Sequence, residues 1–197
     1  MASNEKRLDQ EFWNNLYISQ DTGWDLGQVS PPIKEYIDTL KNKNISILIP
    51  GCGNSHEAEY LLNQGFTDIT VIDIAPILVE SLQKKFKSNP NIKIILGDFF
   101  EHQGKYDLIL EQTFFCALLP SMRQKYVLKM QQILSENGKL VGLLFNKTFE
   151  GGPPFAGSQA EYEKLFKNNF DFLKMKLCQN SIKPRANSEL FIEFQKK

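Results

Sequence analysis

A short β-branched run, Ile45-Ser-Ile-Leu-Ile, passes through Pro50 into Gly51-Cys52-Gly53, and Asp73 closes the next apolar run twenty residues later. No other feature constrains the chain as much. A strand that turns on glycines into a helix lets a ligand approach the backbone closely. An acid at the end of the next strand lies where ribose hydroxyls would reach it. The pattern predicts a strand–turn–helix unit built around a nucleoside.

The rest of the chain repeats that unit. Ala58, Leu61 and Leu62 recur at helical spacing, with Gly65 as the stop. Residues 69–72 form a strand ending at Asp73, and Pro76 suits the first turn of a helix carrying Leu78, Leu82 and Phe86. Residues 92–96 are a third strand, followed by Gly97-Asp98-Phe99-Phe100, and residues 106–111 a fourth. Met122, Tyr126, Met130 and Ile133/Leu134 line one helix face that Asn137-Gly138 is expected to stop, before a fifth strand at 139–145. Ser158-Gln-Ala-Glu161 is a capping box. Residues 172–177 and 190–194 alternate with period two, which suggests an antiparallel edge on a parallel sheet. The expectation is one α/β domain, a doubly wound, mostly parallel sheet with an antiparallel C-terminal edge strand. Residues 41–197 form its core, and residues 1–40, which hold both tryptophans, act as a lid.

The ligand is narrowed by what the turn lacks. A dinucleotide fingerprint wants a third glycine at position 56, where this chain has His56. No Gly-Lys-Ser/Thr follows, so a polyphosphate loop fails as well. Asp73 could accept from two ribose hydroxyls and Asp98 from an exocyclic adenine amine, with Phe99 against the ring. A turn aspartate capping a helix is the competing reading of Asp98. With nothing basic on these turns, a nucleoside without phosphates fits best, and S-adenosylmethionine is the common one.

Lys+Arg and Asp+Glu balance at 23 each, so no net field draws the chain to nucleic acid or to an anionic membrane. No apolar run is long enough to span a bilayer, and the polar start MASNEKRLDQEF has no signal-peptide core. Cys52, Cys116 and Cys178 are odd in number and far apart, which argues against a disulfide framework or a metal knuckle and for the cytoplasm. No metal site is expected. Cys116 reads as a small buried apolar residue, and His56 and His102 as bystanders to the chemistry.

Four stretches carry a family likeness: Phe12-Trp13 with Thr22-Gly23-Trp24-Asp25-Leu26-Gly27; Ile49-Pro50-Gly51-Cys52-Gly53; the run from Tyr106 through Thr113-Phe-Phe-Cys-Ala-Leu118 to Arg123; and Gly151-Gly-Pro-Pro-Phe155. Beyond the general Class I methyltransferase (Rossmann-like) pattern, the chain resembles the thiopurine S-methyltransferase superfamily, especially its plant-type halide/thiol branch. The resemblance implies that Trp13, Tyr17 and Trp24 close over the cofactor, where aromatic faces would surround a sulfonium and exclude water. Stapling a tail to the core is the alternative for these tryptophans. Tyr17 stands where the branch more often has tryptophan. Gln112 stands where it tends to have an aromatic, and Phe155 replaces a tyrosine expected in the substrate pocket.

The expected activity is S-adenosylmethionine-dependent methyl transfer to a small soft nucleophile: a thiol, thiocyanate, hydrosulfide or halide. Rivals are an aromatic thiol or chalcogen acceptor, and a non-catalytic S-adenosylmethionine sensor. Such transfer needs positioning and desolvation more than a base. Arg123, beyond the fourth strand, is the candidate to attract an anionic substrate, with a paired or solvated arginine as the alternative. Asp25 is the candidate to cap or orient the lid. A small-molecule partner and a monomer are expected.

Overall fold

The computed structural model describes residues 7–197. Residues 1–6, the start of the expected lid and of the polar N-terminus, lie outside the described residues. Seven strands form a single sheet: β1 (Ile47–Pro50), β2 (Ile69–Asp73), β3 (Ile92–Leu96), β4 (Tyr106–Gln112), β5 (Leu134–Phe145), β6 (Phe170–Leu177) and β7 (Glu189–Lys196), in the order β3-β2-β1-β4-β5-β7-β6. The first five run parallel. The expected antiparallel strand at the C-terminal side is β7, which runs against both β5 and β6 and leaves β6 outermost.

Alternation along the strands sorts side chains to two faces. Ile47, Ile49, Val71, Leu108, Leu110 and Val141 pack with α2 (Pro31–Thr39), α3 (His56–Asn63) and α4 (Pro76–Lys85). Leu48, Ile72, Ile109, Leu140 and Leu144 pack with α5 (Arg123–Ile133) and α6 (Gln159–Phe166) on the other side. Strands covered on both faces read as unbroken apolar runs, as β1 does here, whereas the edge strand β3 carries Lys93 and is only half-buried. Pro76 opens α4, Gly65 follows the end of α3 at φ +85, and Ser158 caps α6 by accepting from the Glu161 amide at 3.3 Å. Among the described residues no helix is long and apolar enough to cross a membrane.

Two sequence expectations change. The lid is shorter than 40 residues: α1 (Gln10–Ile18) and the loop after it lie over the strand ends. α2 is instead a core helix, with Ile33 and Ile37 fully buried, each such burial worth about 1.5–3 kcal/mol. The fifth helix ends at Ile133 rather than at Asn137, because Leu134 is drawn into pairing with Tyr106. The next strand pairing joins Leu108 to Lys139, so residues 135–138 bulge out with Asn137 at φ +61.

β1 is flanked by β2 on one side and β4 on the other, so connections leave it in opposite directions. Such a switch point opens a crevice at the carboxyl ends of the strands.

Candidate active site

That crevice is a cavity of about 880 Å³, floored by Ile49, Gly51, Gly53, Asp73 and Gln112 and roofed by α1 and the loop that follows it. Gly51 and Gly53 take φ values of +55 and +50, a left-handed region where a side chain is costly. A Cβ on Gly51 would also lie 2.2 Å from Cδ2 of Phe114, so this turn is packed on its far side by the residue two beyond β4. Gly53 N–H donates to one Asp73 oxygen at 3.2 Å and Ala75 N–H to the other at 3.0 Å. Burial pushes the Asp73 carboxyl above the usual carboxylate range, against the pull of these amides. Asp98 caps a short turn, accepting from the Phe100 amide at 2.8 Å, and also lines the cavity. Phe99 is buried against Phe114 at 5.2 Å and forms wall beside it.

The roof is aromatic. Trp24 meets the edges of Trp13 at 5.7 Å and Tyr17 at 5.8 Å. Asn14 accepts from the Ile77 amide at 2.9 Å and fixes α1 to the start of α4. Asp25 accepts from the Gly27 amide at 2.8 Å, from Asn54, and from or through His56 Nε2 at 2.7 Å. Burial opposes the charged form of Asp25, but these donors outweigh it and hold its carboxyl below the ordinary range. Both oxygens of Asp25 are thus engaged within the chain, Oδ1 with the Gly27 amide and His56 and Oδ2 with Asn54.

All nine residues expected to hold a cofactor (Trp13, Tyr17, Trp24, Gly51, Gly53, Asp73, Asp98, Phe99 and Gln112) line this one cavity, together with Asp25. Gln112 contributes a buried Oε1 with no hydrogen-bond partner among the described residues. Arg123 is the correction. It is not on the cavity wall: its side chain is 7% exposed, pairs with Glu161, donates to the Ala156 carbonyl at 2.6 Å and lies over the Phe115 ring at 5.0 Å. It fastens the 147–157 loop instead of facing a substrate. Phe155 is also off the wall, its N–H given to the Cys116 carbonyl at 2.7 Å, while Pro153 and Pro154 face the cavity.

Arg185, in the loop between β6 and β7, escapes the sequence reading. It is the only arginine or lysine on the wall among the described residues. It donates to the Trp24 carbonyl at 2.9 Å, pairs with Glu189 at 3.3 Å and lies over Phe145. No motif marks it; its only signal is that the chain has three arginines. Leu118, Leu119 and Met122 add an apolar wall beyond the fourth strand. Thr113 takes φ +59, an outlier for a β-branched residue. Glu111, wholly buried, holds that turn by accepting from the Phe114 and Phe115 amides at 2.8 and 2.9 Å. Burial, with the Glu111 charge, pushes the Cys116 thiol up to about 12, and burial raises Cys52 as well, so neither is a nucleophile at neutral pH. His102 bonds the Tyr106 hydroxyl at 2.8 Å, away from the cavity. No group of three or more metal-ligating side chains exists among the described residues.

The wall suits a nucleoside without phosphates. A paired-amide acid closes β2, a second acid follows β3, and aromatic faces cover the opening, while Arg185 is the one arginine or lysine on the wall among the described residues.

A family model for thiopurine S-methyltransferase matches residues 8–193. A probable thiol methyltransferase 2 from Arabidopsis thaliana is 33% identical over 184 residues, 90% of this chain and 81% of that protein. Thiocyanate methyltransferase 1 from Brassica oleracea is 28% identical over 165 residues, 80% of this chain and 72% of that protein. A thiopurine S-methyltransferase from Vibrio vulnificus is 28% identical over 176 residues, covering 80% and 81%. Among solved structures, the Burkholderia thailandensis 1,6-didemethyltoxoflavin-N1-methyltransferase, which holds S-adenosylhomocysteine, superposes with a TM-score of 0.72 at 16% identity over 95% of this chain and 86% of that one. A TehB-like methyltransferase from Corynebacterium glutamicum gives 0.67 at 20% identity, covering 95% of each chain.

Proposed function

Because the chain belongs to the thiopurine S-methyltransferase family and is an S-adenosylmethionine-dependent methyltransferase, we propose that it methylates a small organic thiol by in-line transfer. Bound S-adenosylmethionine supplies a methyl group carried on a sulfonium. In this reading Asp73 accepts from the ribose hydroxyls and Asp98 with Phe99 receives the adenine. The Gly51-Cys52-Gly53 turn lets the donor lie against backbone, and Gln112 Oε1 gains the partner it lacks among the described residues. Trp13, Tyr17 and Trp24 exclude water and present ring faces to a cation.

The observation that carries the acceptor assignment is the single cation of the wall. Arg185 lies over Phe145, donates to the Trp24 carbonyl and shares the wall with Pro153 and Pro154. A guanidinium there favours the thiolate of a group whose ordinary pKa is about 8.5. The thiolate is the nucleophile, and a few per cent of it at neutral pH makes a dedicated base unnecessary. Leu118, Leu119 and Met122 cover an apolar body. A cavity of about 880 Å³ is near the upper end of the range that holds drug-sized ligands. That volume has to hold the methyl donor as well as the acceptor, so it is the apolar wall of Leu118, Leu119 and Met122 that supports an organic acceptor over a bare halide or thiocyanate. Action as a monomer in the cytoplasm is part of this reading, the three free cysteines suiting a reducing compartment.

The test is a product assay with S-adenosylmethionine and a small alkyl thiol, an aromatic thiol, thiocyanate and iodide. The methyl thioether is expected with the highest kcat/KM. Arg185→Gln is expected to lower the thiol kcat/KM about tenfold, the scale of a lost charge-assisted hydrogen bond. Tight S-adenosylhomocysteine binding with no methylated product from any acceptor would instead mark a sensor, and iodide as the best acceptor would overturn the thiol assignment.

A further inference from the structure

The four residues Gly53, Asn54, Ser55 and His56 touch both the floor and the roof of the cavity. Gly53 N–H is held by Asp73 at 3.2 Å on the floor. Asn54 Nδ2 and His56 Nε2 both reach the carboxylate of Asp25, which belongs to the lid loop and is bonded through the chain to Trp24. Ser55 between them takes φ +56. That left-handed residue turns the backbone so that side chains two apart converge on one carboxylate. The neighbouring Glu57 accepts from the Ser30 amide at 3.0 Å, pinning the far end of the same loop where it enters α2.

The two ties differ in kind. Glu57 is buried and bonded to main chain, so it anchors the loop as part of the core. His56 and Asp25 keep 23% and 22% of their side chains exposed, so water can compete for this pair. The carboxylate end of the loop is therefore the end that can open, and opening it lifts Trp24 away from Trp13 and Tyr17. The Arg185 bond to the Trp24 carbonyl holds the same residue from the opposite side.

We propose that His56 is a positioning residue for methyl transfer: with Asn54 it latches Asp25 and thereby holds the aromatic roof closed over the methyl donor. The third fingerprint position, where a dinucleotide fold would place glycine, carries the latch in this chain. Donor affinity is then set partly by a side chain that need not touch the donor. The turn whose Gly53 amide holds Asp73, the acid proposed for the donor's ribose, also carries the latch, so ordering this turn on the floor and closing the roof favour each other.

The test uses S-adenosylhomocysteine binding by the full chain without any acceptor, so it does not depend on which acceptor is right. Calorimetry gives the affinity, and intrinsic fluorescence reports the roof directly, because Trp13 and Trp24 are the only two tryptophans. His56→Ala is expected to weaken binding about tenfold, the scale of one lost charge-assisted hydrogen bond, and to shift the emission of both free and bound protein to the red. His56→Gln places an amide nitrogen where Nε2 lies and is expected to restore affinity to within about threefold of the wild type. Asn54→Ala is expected to weaken binding in the same direction. It decides the matter together with His56→Gln if His56→Ala does not fold. Wild-type affinity and emission in His56→Ala, or a His56→Gln protein as weak as His56→Ala, would overturn the latch.

Discussion

Replacing Glu111 by glutamine is expected to remove a pH dependence from the stability of this enzyme. Glu111 is fully buried beneath the turn after β4, and burial pushes its carboxyl from 4.5 up to about 7. Its hydrogen bonds from Tyr126 at 2.6 Å and from the Phe115 and Phe114 amides oppose that rise without cancelling it. Between these two values the folded chain keeps a proton that the unfolded chain has released. Stability therefore falls as pH rises from about 4.5, and the loss is complete above about 7. At about 1.36 kcal/mol per pH unit the full loss is roughly 3 kcal/mol, of which roughly 2.5 kcal/mol develops between about pH 5 and pH 8. Glutamine keeps a carbonyl oxygen for the two amides, and the Tyr126 hydroxyl can turn to accept from the new amide nitrogen. Urea unfolding of both proteins at the two pH values measures the effect. Subtracting one protein from the other cancels Asp73 and Glu57, whose carboxyls burial also raises. The advantage of Glu111→Gln over wild type should grow by roughly 2.5 kcal/mol between about pH 5 and pH 8. An advantage that stays constant across that window would refute the assignment of a neutral-leaning buried acid.

Arg123→Met is expected to cost stability and spare activity. Glu161 stays 42% exposed and rehydrates, so the loss on thermal or urea unfolding should be about 1–2 kcal/mol rather than that of a fully buried pair. kcat/KM should stay within about threefold; a hundredfold fall in kcat at unchanged stability would return Arg123 to the chemistry. Gly51→Ala must hold a Cβ at φ +55 and displace the Phe114 ring. Calorimetry should show S-adenosylhomocysteine binding weakened by about tenfold or more, since the backbone term alone is about 1–2 kcal/mol, and unchanged affinity would refute the close packing of this turn.

The donor side of the cavity was legible in the sequence because its signals are local. Gly51, Gly53, Asp73 and Asp98 stand at strand ends, and strand ends on a parallel sheet converge by topology alone. Trp13, Tyr17 and Trp24 were placed by resemblance, and the structure brings both Trp13 and Tyr17 into T-shaped contact with Trp24. Features decided by tertiary pairing were not legible. The end of α5 depends on Leu134 finding Tyr106 across the sheet. α2 has only two turns of pattern, Ile33 and Ile37, and its core role appears only when α3 lies beside it.

The two arginines show where the boundary falls. Arg123 follows a family-like run and opens a helix beyond a strand end, so local pattern nominates it; Arg185 lies in an irregular loop and carries no pattern. Partners distant in sequence place them the other way round: Glu161 and Ala156 hold the first off the cavity wall, and Trp24 and Phe145 hold the second on it. The exchange matters for turnover. With Arg123 held off the wall behind Phe115, the wall carries Arg185 together with the acids Asp25, Asp73 and Asp98, and Arg185 reaches the carbonyl of Trp24, next to Asp25. A cationic donor and an anionic thiolate bound as proposed lose both charges when the methyl group moves. The same carboxylates and guanidinium that gather the reactants then hold neutral products less well. In that arrangement the charges of the wall favour both encounter and release, and no single side chain has to act as a base.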